Sequence, residues 1–322
     1  MNSDLSKKIE AISEEPILIT GASGLMGSNF LNFFSRMAES NPERELHAVS
    51  RSGVLPQNIS LLSNVKWHVG DLTDQEFVKS LPKVHTVINC AGYGQPIKFN
   101  NSKIETIRLN TNTLLNLYDR IEKCGYFLNF SSSEIYSGST SSKCTEKDIG
   151  VSGPSHPRAS YIESKRMLET ILLSHENESK LRMVGLRLAL AYGPGVKKDD
   201  DRVLNSFIRQ AMESSCIKMK DSGSALRTYC YVSDAVEMSL AALLLGSETI
   251  YNIGGESRVT ILELARLIGQ LTNSKVIEGP DSPYLPDAPK EVIIDCSKVL
   301  DLLPNKQFVP LQDGLSNLIA SW

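Results

Sequence analysis

The chain has 322 residues, enough for two domains of ordinary size or one large domain with an extension. Hydrophobic residues make up 41% and charged residues 22%, which excludes a disordered chain, and the formal net charge of −3 gives no general attraction to nucleic acid or an anionic membrane. No apolar run reaches the roughly 18 residues of a membrane span, and Cys90, Cys124, Cys144, Cys216, Cys230 and Cys296 are scattered without a C-x-x-C pair. A cytoplasmic protein with reduced thiols and no metal site is the expectation.

Residues 1–15 read as a polar leader without an apolar signal core, fraying or packed on the outside. Residues 16–20 form a short, continuous apolar run, the mark of a fully buried strand. The glycine-rich stretch 21–27 follows at once, and then an amphipathic helix over 28–38. Further strands are predicted at 46–50, 65–69, 86–91, 126–131 and 182–188, with helices over 102–123 and 160–176 between them. Strands alternating with helices predict an α/β fold with a doubly wound parallel sheet. After residue 193 the segments become shorter and more mixed, and Pro280, Pro283, Pro286 and Pro289 punctuate a late loop. The predicted division is a dinucleotide-binding Rossmann domain over 16–193 and a smaller C-terminal substrate lobe over 194–322, some of whose segments return to the first sheet.

A strand that runs into G-x-x-G-x-x-G and then a helix gathers backbone N–H groups and a positive helix end at one point, where a pyrophosphate fits. In this reading Gly21 allows the tight turn, Gly24 the close approach of the cofactor and Gly27 the helix–strand contact. NAD sites usually carry an acid at the end of the second strand. This chain has Ser50 and Arg51 there, a hydroxyl and a guanidinium suited to a 2′-phosphate, so NADP is favoured over NAD. The alternative for Arg51 is a solvated loop residue. Asp71 and Leu72, after the third strand, are placed for the adenine.

Tyr161 and Lys165 form Y-x-x-x-K, two side chains on one helix face. A lysine ammonium beside a phenol would lower the tyrosine pKa and make it an acid or base near neutral pH. Ser131, Ser132 and Ser133 end an apolar strand, where ligands sit in open α/β sheets, and a hydroxyl there could share the substrate oxygen with Tyr161.

With this ordered set the chain resembles the extended short-chain dehydrogenase/reductases of the nucleotide-sugar epimerase/dehydratase family. The likeness spans about residues 16–318. It rests on TGASGLMG (20–27), DL (71–72), INCAG (88–92), LNTNT (109–113), SSSEIY (131–136), YIESK (161–165), LRLALAYGPG (186–195), RTYCYVSDAV (227–236) and YNIGG (251–255). HPRASYIESKRMLE (156–169), RVLNSFIRQAM (202–212) and the Ser133–Glu134 pair are most similar to UDP-glucuronate decarboxylases. The resemblance makes Tyr161 the acid/base and has Lys165 hold it and the nicotinamide ribose. It puts Ser132 on the substrate oxygen and Glu134 near C5 or C6 of the sugar, the alternative for Glu134 being a capping or loop carboxylate. It adds Ser23, Leu25, Met26, Ala91, Gly92 and Asn110 to the cofactor site and Ser133, Arg202 and Arg227 to the substrate site. Arg227 is the family's diphosphate arginine, or else an ion pair within the smaller lobe. The family's dimer also implies that the helices over 102–123 and 160–176 pair two copies of the chain.

Two departures bear on the reaction. Leu190 stands where the resemblance expects an asparagine on the substrate diphosphate, and Ser50–Arg51 stands where it expects an acid. Both favour an oxidoreductase that reduces a 4-keto nucleotide-diphosphate hexose with exchanging NADP. The alternative is a decarboxylase, epimerase or dehydratase that works through a transient 4-keto sugar and keeps its NAD. A cofactor-binding regulator is the reading from outside enzymology, and the intact Ser132, Tyr161 and Lys165 argue against it.

Overall fold

Parallel strands form the frame on which the candidate residues are mounted. The computed structural model describes residues 3–38, 44–53, 59, 62, 64–175, 180–281 and 293–322. Of the four late prolines, Pro283, Pro286 and Pro289 lie outside these.

In chain order come α1 (Ser3–Ser13), β1 (Ile17–Thr20), α2 (Leu25–Ala38), β2 (Leu46–Ser50), β3 (Val65–Val69), α3 (Gln75–Ser80) and β4 (Val84–Asn89). Next are α4 (Pro96–Asn101), α5 (Lys103–Tyr118), β5 (Ile121–Ser132), α6 (Ala159–Ser174), β6 (Arg182–Leu188) and β7 (Leu190–Tyr192). Then follow α7 (Val203–Ser214), β8 (Cys216–Lys218), β9 (Leu226–Tyr231), α8 (Val232–Leu244) and β10 (Ile250–Ile253). The chain closes with β11 (Ser257–Thr260), α9 (Ile261–Thr272), β12 (Lys275–Ile277), α10 (Ser297–Leu300) and α11 (Leu311–Ala320).

The main sheet has seven strands in the order β10-β6-β5-β4-β1-β2-β3, each parallel to its neighbours, which is the doubly wound α/β arrangement. β1 is buried at every position, so a continuous apolar run is what its place between β2 and β4 requires. A three-stranded sheet, β11-β9-β7, and a two-stranded one, β12-β8, lie in the later part of the chain. There Leu204, Phe207, Ile208, Leu264 and Ile268 form a second core. The late strand β10 returns to the edge of the main sheet, pairing Ile250 with Gly185.

Of the two outcomes expected of the leader, it packs rather than frays: Leu5, Ile9 and Ile12 lie on one face of α1, are buried, and pack with α8 and α2. Lys8 Nζ also donates to Leu244 O at 3.0 Å. Each such apolar side chain contributes about 1.5–3 kcal/mol relative to exposure, enough to hold a short helix down. The helix predicted over 102–123 stops at Tyr118, and the next strand starts five residues earlier than predicted, at Ile121 rather than 126. The Val84 N–H donates to Arg120 O at 2.9 Å, which draws the chain off the helix and onto β4.

Candidate active site

The ends of β1, β2 and β4 form the first half of the site. Gly21 has φ of 59°, and a Cβ there would lie 2.6 Å from Cys90 O. A Cβ on Gly27 would lie 2.3 Å from Gly21 O, so the turn closes only with glycine at both positions. Gly24 N–H donates to Gly21 O at 2.9 Å, and Ser23 and Leu25 are half-buried beside it. Met26 points its side chain into the core, which leaves only its backbone for a cofactor. Across the turn, Gly92 is exposed and faces Asn110 Oδ1 and Lys165 Nζ, each 3.8 Å from where its Cβ would be, and Ala91 is half-buried next to it. Asn110 is buried and donates to Ser164 Oγ at 2.9 Å, while among the described residues its own Oδ1 has no partner. The glycine cradle, the exposed Gly92 backbone and the unused carbonyl of Asn110 fit the pyrophosphate and ribose of a dinucleotide.

Ser50 is buried and its hydroxyl has no partner among the described residues, whereas Arg51 is exposed and its NH1 donates to Tyr93 Oη at 2.8 Å. β1 lies between β2 and β4, so this bond between residues beyond β2 and β4 crosses above the glycine turn. Asp71 closes a local turn, its Oδ1 accepting from the Thr73 N–H and hydroxyl at 2.8 Å, and Leu72 is buried beneath.

The second half gathers at the end of β5 and the start of α6. Tyr161 is buried, its ring stacked on Phe99 at 4.3 Å between centroids and 12° between planes. The Ser132 hydroxyl stands beside its phenol and accepts from Glu134 N–H at 3.2 Å. Lys165 Nζ donates to Phe130 O at 2.6 Å and sits 5.7 Å from the Tyr161 ring centre. The three groups expected together are together. The expected pull of Lys165 on the tyrosine is not found. Burial pushes the Tyr161 phenol up to about 12, Glu134 adding to the rise while Ser132 and Arg202 oppose it. Burial also lowers Lys165, to about 8, against the Glu169 carboxylate. Within this pocket the cost of charging each group outweighs their mutual help.

Beyond Tyr161 the site becomes charged. Glu134 is clasped by Arg158, whose NH1 lies 2.7 and 2.6 Å from its two oxygens. Arg202 reaches buried Asp200 through Nε and NH2 at 2.7–3.1 Å. Burial opposes ionisation of Asp200, but Arg202 outweighs it and holds the carboxyl below its ordinary range. Arg227 is mostly buried and donates to Leu226 O at 2.7 Å. Burial lowers its pKa; Tyr229 and Glu134 oppose that and Arg158 adds to it. The Tyr229 hydroxyl is buried without a partner among the described residues, and its residue pairs with Leu190 between β9 and β7. Ser133 begins a short 3₁₀ turn, half-buried, one residue from Glu134.

Sequence reasoning gave no role to Phe99, Arg158, Tyr93 or the support under Lys165. That support is a buried pair, Glu169 with Arg187 Nε and NH2 at 3.0 and 2.8 Å, extended by Ser131 to Glu169 and by Arg187 to Tyr136 Oη at 2.8 Å. Breaking one partner of such a pair costs about 3–5 kcal/mol. Glu169 lies one turn beyond Lys165 on the same helix face, a spacing that could have signalled it. For Phe99, nothing in its local sequence carried a signal.

A family model described as the NAD dependent epimerase/dehydratase family matches residues 17–254, three quarters of the chain. The chain belongs to the NAD-dependent epimerase/dehydratase family. Among curated members it is similar to UDP-glucuronic acid decarboxylase 6 of Arabidopsis thaliana, 29% identical over 93% of this chain and 86% of that one. Among solved structures it is similar to an epimerase from Methanothermobacter thermautotrophicus, with a TM-score of 0.84, 20% identity, and 99% and 95% of the two chains covered. It is also similar to a UDP-glucuronic acid 4-epimerase from Bacillus cereus in complex with a fluorinated UDP-glucuronic acid and NAD, at TM-score 0.77, 21% identity, and 95% and 98% coverage. These likenesses establish the same fold across the family. Among the described residues no helix is long and apolar enough to cross a membrane.

Proposed function

We propose that this family member is a nucleotide-sugar decarboxylase acting on a nucleotide-diphospho-uronate through a transient 4-keto sugar, with NAD kept in the site. The observation that carries this is the Glu134 carboxylate, clasped by Arg158 and acting on Tyr161. Moving a hydride at C4 needs only a hydroxyl, a phenol and a lysine. A held carboxylate next to them serves chemistry at the neighbouring carbon. The curated decarboxylase relative and the Bacillus cereus neighbour, solved with a uronate analogue and NAD, support the same substrate class.

In this reading the backbone of Gly21–Gly27, with Ser50, Arg51, Asp71, Leu72, Ala91, Gly92, Asn110 and Lys165, holds the cofactor. The cofactor supplies the hydride acceptor, and later the donor, at C4. Tyr161, in its phenolate form, takes the C4 hydroxyl proton as the ketone forms, and Ser132 holds the same oxygen. The 4-ketone makes the C6 carboxylate that of a β-keto acid. Its C5–C6 bond breaks, CO₂ leaves, and the electron pair moves onto the C4 oxygen, where Ser132 and Tyr161 stabilise it. Glu134 manages the proton that returns to C5, and Tyr161 gives back the C4 proton. Arg202 and Arg227 take the diphosphate. Residues 16–193 serve as the cofactor domain and 194–322 as the nucleotide-sugar lobe. Ile104, Ile107, Leu115 and Tyr118 on α5 and Met167 and Leu173 on α6 are exposed apolar residues that support a homodimer through these helices, a state that light scattering reads directly.

One observation favours a second reading. Arg51 in place of an acid suits the 2′-phosphate of NADP and a net 4-keto-sugar reduction. Incubation with UDP-glucuronate and NAD separates the two. Decarboxylation gives CO₂ and a UDP-pentose by mass spectrometry with no net gain of reduced nicotinamide. No product from the uronate, together with stoichiometric NADPH consumption on a UDP-4-keto-hexose, would replace this reading with the reductase.

A further inference from the structure

We infer that Arg158 selects for a carboxylate-bearing sugar, one edge of its guanidinium receiving the C6 carboxylate while NH1 stays on Glu134. The inference deepens the decarboxylase reading and rests on its placement of the sugar. Among the described residues only NH1 of this side chain is engaged, with both oxygens of Glu134 at 2.6 and 2.7 Å. The Nε and NH2 edge carries no hydrogen bond there, and the side chain keeps 21% of its surface exposed. That edge is the planar fork that matches a carboxylate in a bidentate pair.

Position decides which anion it meets. Arg158 precedes α6 by one residue and Tyr161 by three, and its partner Glu134 is two residues beyond Ser132. The guanidinium therefore belongs to the end of the site where C4 is handled, next to Ser132 and Tyr161. Arg227 from β9 also acts on Glu134 and Arg158, and Arg202 on Tyr161, so the charged end of the site is continuous, and Arg158 is the guanidinium in it that stands nearest in the chain to Tyr161 with its Nε and NH2 edge unengaged among the described residues. A charge on the sugar itself is the anion this arginine is placed to meet. Glu134 alone would repel a second carboxylate. A guanidinium shared between the two removes that repulsion, and a neutral hydroxymethyl group gains nothing from it.

The test is calorimetric titration of the full chain with UDP, UDP-glucose and UDP-glucuronate. Wild type should bind the uronate at least about tenfold more tightly than UDP-glucose, the scale of one charge-assisted bidentate contact. Arg158→Gln should abolish that preference and leave UDP and UDP-glucose within about twofold, which also shows that the variant is folded. Arg158→Lys should keep part of it, since the charge remains without the fork. Glu134→Gln distinguishes binding from support. If Arg158 only holds Glu134 in place, this variant loses the uronate preference as Arg158→Gln does. If Arg158 receives the carboxylate, it keeps or increases it. Equal losses for both sugars in Arg158→Gln, or no loss of the uronate, would overturn the assignment. Equal binding of both sugars by wild type overturns it too and leaves the nucleotide-sugar reading standing, whereas wild type that binds neither UDP nor a UDP-sugar overturns both.

Discussion

The glycine-turn half and the charged half of this candidate site are built from different materials. Around Gly21–Gly27 the structure offers backbone, glycine and neutral polar groups such as Asn110 and Ser164, the glycines at the end of β1 and the two polar side chains from within α5 and α6. Around Glu134 it offers charge: Arg158, Asp200, Arg202 and Arg227, from the end of β5, the residue before α6, the segment before α7 and β9. The difference teaches where selectivity is kept. A pyrophosphate common to all dinucleotides can be met by fixed peptide dipoles, which need no particular side chain. Distinguishing one sugar acid from its neutral analogue needs placed charges, and these can be changed one residue at a time.

If that division holds, substitutions in the two halves should separate cofactor effects from substrate effects. The largest effect is expected where the halves meet. Tyr161→Phe should lower turnover by roughly 10²–10⁴-fold with cofactor and UDP-sugar affinities retained, and turnover near wild type would remove Tyr161 from the mechanism. In the backbone-built half, Gly21→Ala meets both a positive φ and Cys90 O, so it should cost about 1–3 kcal/mol of stability in denaturant melts and weaken cofactor binding. An unchanged melt would show that the turn adapts. Arg51→Ala is the finer cut. Should Arg51 leave Tyr93 for a 2′-phosphate, this variant loses about tenfold in NADPH affinity and leaves NADH untouched. Equal values for both cofactors in wild type and variant would confine Arg51 to its Tyr93 bond.

The smallest effect is in the pH profile. Lys165 loses its proton as pH rises through about 8, so kcat should fall on that alkaline limb, by no more than tenfold per pH unit. The sign for stability is opposite. The folded state releases this proton below the ordinary lysine value of 10.5, so between about 8 and 10.5 the unfolded chain binds more protons, and the Lys165 contribution rises with pH. A flat kcat across this range would show that the lysine charge is not used.

The sheet was legible because a buried parallel strand must be largely apolar, and β1, the most continuous of these runs, appears where its run stands. β2, β3 and β6 also appear at their predicted places, although β3 lies at the sheet edge with no fully buried position. The glycine turn and Y-x-x-x-K were legible because each acts within a few residues of itself. Element ends were not: α1 reads as polar until α8 covers Leu5, Ile9 and Ile12, and β5 starts early because β4 captures Arg120. The motif spacing also misled on the tyrosine. Two residues on one helix face announced a charge interaction, but burial, which no spacing encodes, raised Tyr161 and lowered Lys165.

Fold class, the glycine turn and the Tyr161–Lys165 pair were therefore legible in the sequence alone, since each depends on local periodicity or on residues a turn apart, whereas Ser132 joins that pair only through where its strand ends. Which charges face one another was decided only by the tertiary structure. Arg158 meets Glu134 across 24 positions, Arg187 meets Glu169 across 18, and Leu190 comes beside Tyr229 through the pairing of β7 with β9. Such pairings follow from where strands end and loops return, and Coulomb energy depends on distance in space rather than along the chain.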